Sequence, residues 1–242
     1  MNFIYVTCLF LLLSLSVIAA ETITVMSGIN KPPYVIQKEN SGFEIELIHS
    51  IISSMGKSAE FSYVNYGRAS KMLYMQGVDA VMSTNKKVFV DESVLTEPYI
   101  YYQNVAISLA ENNFKINTIT DLAKHSIVSF QLAHKVLGQL FYNAAMSSPM
   151  YVQMSDQARQ PEMLFRKRTD IVIAEKQIFY SLLAQSSWAS KADDAKVHYV
   201  FPKTAYSMAF KDRNNVALFN VALRKVLATK EYIQLRLKYG FD

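Results

Sequence analysis

The sequence predicts an α/β protein built as two lobes joined by extended strands. Short β-prone runs alternate with helix-period stretches along most of the chain, the pattern of βαβ units and mostly parallel sheets. The alternation occurs in two series with the same plan. Each series holds an Asp opening a buried-strand pattern, Asp79-Ala-Val-Met and Asp170-Ile-Val-Ile, after a helix and a basic or glycine-containing turn. A single larger sheet is the alternative that periodicity leaves open.

The first series starts with Thr22-Ile-Thr-Val-Met26 as a short strand, followed by the turn-forming Lys31-Pro32-Pro33. From Gly42, the residues Phe43, Leu47, Ile48, Ile51, Ile52 and Met55 fall on one helical stripe, and Gly56 stands where a glycine ends a helix. Ala59 to Val64 reads as a strand. A helix from Arg68 to Gln76 leads through Gly77 into the strand Val78–Met82. Tyr99 to Leu109 is one long β-prone run.

The second series opens at Thr118-Ile-Thr-Asp-Leu122, a helix start with Thr or Asp as cap. Ile127 to Phe130 is a strand. Ala133 to Met146 reads as one helix burying Val136, Leu137, Leu140 and Phe141. Pro161 to Lys167 is a helix with Pro in its first turn. Asp170 to Ala174 is a strand, Lys176 to Gln185 a helix, and Asn215 to Tyr239 two amphipathic helices.

The first twenty residues contain no Lys, Arg, Asp or Glu and end in Ala19-Ala20-Glu21, which predicts a signal peptide over 1–20. An uncut membrane anchor is the rival, since about 20 apolar residues span a bilayer. Cys8 is the single cysteine, so a processed chain has no disulfide, thiolate nucleophile or cysteine metal site. Export without disulfides fits a periplasm-like compartment. The net charge of +5 is scattered, which argues against nucleic acid and supports only a weak bias toward anions. His49, His125, His134 and His198 lack paired spacing, and there is no phosphate loop or nucleophile elbow, so neither metal nor cofactor is expected.

Several segments, in order, resemble the periplasmic solute-binding proteins of family 3, which serve polar amino-acid ABC transporters. Pro32-Pro33-Tyr34 precedes Gly42-Phe43-Glu44-Ile45-Glu46-Leu47, similar to the family's G-F-D/E-I/V-D/E-L. Gly77-Val78-Asp79, Glu97-Pro98-Tyr99, Thr120-Asp121-Leu122, Arg168-Thr169-Asp170 and the closing Lys238-Tyr239-Gly240 follow. The resemblance implies the type II periplasmic binding protein fold, each lobe a mixed sheet flanked by helices. Lobe 1 would comprise 21–107 plus 204–242 and lobe 2 108–203, hinged near Ser108–Ala110 and Pro202–Thr204. It further implies a monomer that closes on a small polar ligand, an amino acid or related amine or acid, for an inner-membrane permease. A stand-alone sensor module is the alternative, followed by an enzyme similar to cyclohexadienyl dehydratases with Glu175 as general acid.

The resemblance also nominates ligand contacts. Tyr66 stands where the family stacks an aromatic, and Ser83 and Thr84 where it offers donors to a carboxylate. The family's T-x-x-R becomes Thr84-Asn85-Lys86-Lys87, so Lys87 brings a point charge without the arginine fork. His134 follows Gln131 at the start of a helix that family members aim at the carboxylate. Glu175 takes the place of an Asp for the ligand's ammonium. Arg68 and Lys31 fall near the expected cleft, while Asp79 and Asp170 are expected to shape turns.

Overall fold

The structure, a computed structural model, describes residues 20–65 and 69–241. The predicted signal segment through Ala19, Tyr66 and Arg68 lie outside the described residues. The strands are β1 (Thr22–Gly28), β2 (Ser58–Val64), β3 (Ala80–Thr84), β4 (Ile100–Tyr102), β5 (Asn104–Leu109), β6 (Ile127–Phe130), β7 (Tyr151–Met154), β8 (Ile171–Glu175), β9 (Ala195–His198) and β10 (Thr204–Phe210). The helices are α1 (Phe43–Ser54), α2 (Ala69–Met72), α3 (Ala133–Val136), α4 (Gln139–Ser147), α5 (Gln160–Phe165), α6 (Lys176–Ala184), α7 (Asn214–Leu227) and α8 (Lys230–Lys238). Among the described residues, no helix is long and apolar enough to cross a membrane.

The strands form two sheets rather than one, ordered β2-β1-β3-β10-β4 and β7-β6-β8-β5-β9. In the first, β1 runs parallel to β2 and β3, while β10 is antiparallel to β3 and β4. In the second, β6 is parallel to β7 and β8, and β5 is antiparallel to β8 and β9. The plan is therefore duplicated strand for strand. Asp79 and Asp170 mark the equivalence. Asp79 accepts from Thr24 N at 2.8 Å, and Asp170 accepts from Ser126 N and Oγ at 2.9 and 2.8 Å, each pinning its strand to the parallel neighbour.

Alternation along the strands divides each core into two faces. Ile23, Val25, Met82 and Phe210 pack with Leu47, Ile48, Ile51 and Ile52 of α1 and Phe219 of α7. Met26, Val81 and Ala209 point the other way, toward Met72, Leu73 and Val94. In the second lobe Ile127, Ile171 and Ile173 meet Phe141 of α4, and Val172 and Ala174 meet Leu164, Phe179 and Leu183.

Three expectations change. The run from Tyr99 to Leu109 is two strands in different sheets, so the first crossing is at Gln103 and not near Ser108–Ala110. The polar pair Gln103-Asn104 interrupts the run where the chain changes sheets. The second crossing lies between β9 and β10, in the Pro202–Thr204 region. The helix over Ala133–Met146 is broken by Gly138, at φ +93°, and the displaced register leaves Leu140 62% exposed instead of buried. The short strands β7 and β9 have no clear period-2 signal and went unpredicted.

Gly42 governs how the segment after β1 meets α1. It sits at φ +119°, a conformation that only glycine adopts readily, and a Cβ there would lie 2.4 Å from the Tyr34 carbonyl oxygen. That proximity lets Phe43 N and Glu44 N donate to the carbonyls of Pro33 and Tyr34 at 2.9 and 3.0 Å, satisfying amides at the helix start. Gly42→Ala is expected to cost at least about 2 kcal/mol, since both strain and clash apply. Urea unfolding at equilibrium measures it, and an unchanged midpoint would contradict the account.

Candidate functional site

Open α/β sheets bind ligands beyond the carboxyl ends of their strands, where the strand order reverses. In both sheets here that point lies between the first and third strands of the series. The ends of β1 and β3 face the ends of β6 and β8 across a cavity of about 700 Å³, its open mouth included. Gly28, Ile29, Lys31, Ser83, Tyr102 and Tyr206 line it from the first lobe. Phe130, Leu132, Val136, Met154, Glu175 and Ile178 line it from the second. Val136, Ile178 and Leu182 join the same buried apolar cluster as Tyr34, Tyr102 and Tyr206, so the lobes meet in a closed arrangement.

The first-lobe wall is organised by Glu44, in the first turn of α1 and fully buried. Its carboxyl group accepts from Ser83 Oγ at 2.6 Å, from Tyr102 OH at 2.6 Å and from Tyr99 OH. The Lys31 ammonium donates to Ser83 Oγ at 3.0 Å and lies 4.0 Å from Glu44 Oε2. A buried carboxyl group is tolerable only with such partners. Burial lowers the Lys31 pKa, and Glu44 acts against the fall. Burial and then Glu44 raise that of Tyr102. Ser83 is left-handed, at φ +51°, and its N–H donates to Tyr99 OH at 2.8 Å. The neighbouring ladder to β10 shifts register between Ser207 and Ala209, as the local departure of β3 requires.

The second-lobe wall is built on Glu175, the last residue of β8 and the N-cap of α6, where its carboxyl accepts from Ile178 N at 2.9 Å. Burial pushes its pKa up to about 7, against hydrogen bonds from the Ile178 amide and the Tyr34 hydroxyl. Tyr34 belongs to the first lobe, so this contact crosses the cleft. Glu175 also pairs in register with Asn104, whose side chain donates to Thr204 Oγ1 at 3.1 Å and ties the two crossings together. Beside it, Leu132 adopts φ +62°, an uncommon state for a bulky side chain, with its N–H held by Gln153 Oε1 at 2.7 Å.

Of the predicted contacts, Lys31, Ser83 and Glu175 line the cavity together. Thr84, Lys87 and His134 do not. Thr84 Oγ1 is buried without a hydrogen-bond partner. The Lys87 ammonium donates instead to the Val136 carbonyl at 2.9 Å, closing the end of α3 and joining the lobes. His134 bonds through Nδ1 to Gln153 Nε2 at 2.8 Å on the outer side, because α3 is a single turn and not the start of a long helix. Tyr34, Glu44, Tyr102 and Tyr206 were missed. Glu44 and Tyr34 stood inside quoted motifs, and only their tertiary neighbours disclose their place at the cleft.

Two sheets of one plan, joined by two crossings and enclosing a cavity at both reversal points, define the two-lobed periplasmic binding protein fold. The chain belongs to the bacterial extracellular solute-binding proteins, family 3, whose model matches residues 23–242. No curated protein matches it in sequence. Among solved structures, it is similar to an ancestral arginine-binding protein bound to arginine, at 20% identity and a TM-score of 0.73, covering 90% of this chain and 97% of that one. It is similar to a histidine kinase sensor domain, at 18% identity and 0.74, covering 91% and 96%. An ancestral amino-acid-binding protein described as a precursor of cyclohexadienyl dehydratase matches at 18% and 0.67, covering 90% and 95%. At these identities the likeness establishes the fold.

The raised pKa of Glu175 makes stability depend on pH. A carboxyl titrating at about 7 when folded and 4.5 when unfolded contributes stability that is full below 4.5 and lost as pH rises through 7. The difference corresponds to about 3 kcal/mol. Glu175→Gln is expected to remove this dependence and to unfold later than the unaltered protein at pH 8. Urea titrations of both proteins at pH 5 and pH 8 test it, and parallel behaviour of the two would refute the assignment.

Proposed function

We propose that the protein is a non-catalytic, extracytoplasmic solute-binding protein that closes its lobes on a small polar ligand, an amino acid or related amine or acid. The observation that carries this reading is the shared cavity, with Lys31 and Ser83 on one lobe and Glu175 on the other. Charged groups of opposite sign on separate lobes make binding and closure one event, because a ligand gains its full contacts only when the lobes meet. The closed form would be read in the periplasm by an inner-membrane permease of ABC type, with the protein acting as a monomer. Family membership supports this reading. The chemistry of the cavity supports the choice of a polar solute.

One observation favours a second reading. A buried carboxyl titrating near 7 is suited to general acid work, so Glu175 fits an enzyme on the same scaffold. Turnover of arogenate or prephenate that disappears in Glu175→Gln would select it over pure binding.

Thermal unfolding with pools of amino acids and organic acids tests the main proposal. A solute at about 100 times its Kd adds roughly 2.7 kcal/mol, expected to raise Tm by about 5–10 °C. If no small solute from either pool raises Tm, the proposal fails.

A further inference from the structure

Resting on that reading of the cleft, we propose that Lys31 is the cation that holds the ligand's anionic group, and that the ligand class is a small carboxylate with an apolar body. The argument begins with the charges available. Among the described residues lining the cavity, Lys31 is the one cation and Glu175 the one acid. Lys87, at the position where the family resemblance led us to expect an anion holder, spends its ammonium on the Val136 carbonyl and lies off the cavity.

Lys31 is fixed from several sides. Its backbone bridges to Val35, with Lys31 N donating to Val35 O at 2.8 Å and Val35 N returning to Lys31 O at 2.9 Å. Its ammonium is set by Ser83 Oγ at 3.0 Å, and Ser83 Oγ is in turn oriented toward Glu44 Oε1 at 2.6 Å. A lysine held this way presents its charge without the large rotamer entropy loss of a surface lysine. Glu44 accepts from Ser83, Tyr99 and Tyr102, and the Lys31 ammonium stands 4.0 Å from its Oε2. Burial disfavours the charged lysine, and an arriving carboxylate would offset that penalty, as Glu44 does in part.

The rest of the lining fixes the other end of the ligand. Ile29, Val88, Phe130, Leu132, Met154 and Ile178 offer apolar surface, and Asn104, Gln131, Ser155 and Gln157 add polar side chains to the same lining. A carboxylate at Lys31, with an apolar portion of the ligand against Ile29, Phe130, Leu132 and Ile178, fits this lining. An amine on the same ligand would find Glu175 on the far wall.

The purified protein is titrated calorimetrically with L-leucine, L-methionine, L-phenylalanine and 4-methylpentanoate, and with the methyl ester of each. At least one acid is expected to bind, with its ester at least tenfold weaker. Lys31→Met is expected to lose at least tenfold in affinity for that acid, Lys31→Arg to retain most of it, and Lys86→Met, altering an exposed lysine, to bind like the unaltered protein. Esters that bind as tightly as acids, or a folded Lys31→Met of undiminished affinity, would overturn the assignment while leaving solute binding intact. So would binding confined to solutes lacking a carboxylate. If Lys31→Met does not fold, the comparison of acid with ester on the unaltered protein decides alone. Silence from these probes and from the broader pools removes the binding reading and this assignment together.

Discussion

The buried carboxyl group of Glu44 is the constraint on which the first lobe's half of the cleft depends. Placing it in the core of an α/β lobe would cost several kcal/mol without partners. The structure meets that cost with three hydroxyl donors drawn from two segments. Ser83 is the penultimate residue of β3, Tyr99 precedes β4 and Tyr102 closes β4. Lys31 completes the group from the loop after β1. One side chain therefore fixes the relative positions of a strand end, a hinge-proximal strand and the first turn of α1.

A consequence is that the cleft wall and the crossings between lobes are mechanically continuous. Tyr102 is the last residue of β4, Gln103 is the crossing, and Asn104 begins β5 opposite Glu175. Gln103 Nε2 also donates to the Phe201 carbonyl at 3.0 Å, in the second connector. Tyr102, which belongs to the group that orders the first lobe, is thus one residue from the chain passage and two from the register partner of the second lobe's acid. The cavity wall and the crossings between the lobes therefore share Tyr102 and Asn104.

The duplicated sheet plan was legible because it rests on local signals. Alternating apolar residues in β1, the short apolar runs of β3, β6 and β8, the α1 stripe and the Asp79 and Asp170 repeats are each short-range signals. The site was legible only in part. Ser83 and Glu175, expected from their position at strand ends, a local property, line the cavity. Lys87 and His134 were misplaced because their neighbours changed the path of the backbone. Gly138 ends α3 after one turn, and the carbonyl thereby exposed at Val136 captures the Lys87 ammonium.

By itself the sequence determined the class of fold, the order of its elements and the strand ends at which the cavity lies, because these follow from side-chain period and turn chemistry. The tertiary structure decided which lysine faces the cleft, that Glu44 lies beneath it, and that the crossing is at Gln103. These depend on residues far apart in the chain, Lys31 with Ser83, Tyr34 with Glu175 and Asn104 with Thr204, and no local pattern specifies such pairs. Electrostatics in a buried site is set by what is within a few ångströms in space, and that distance is a property of the folded chain.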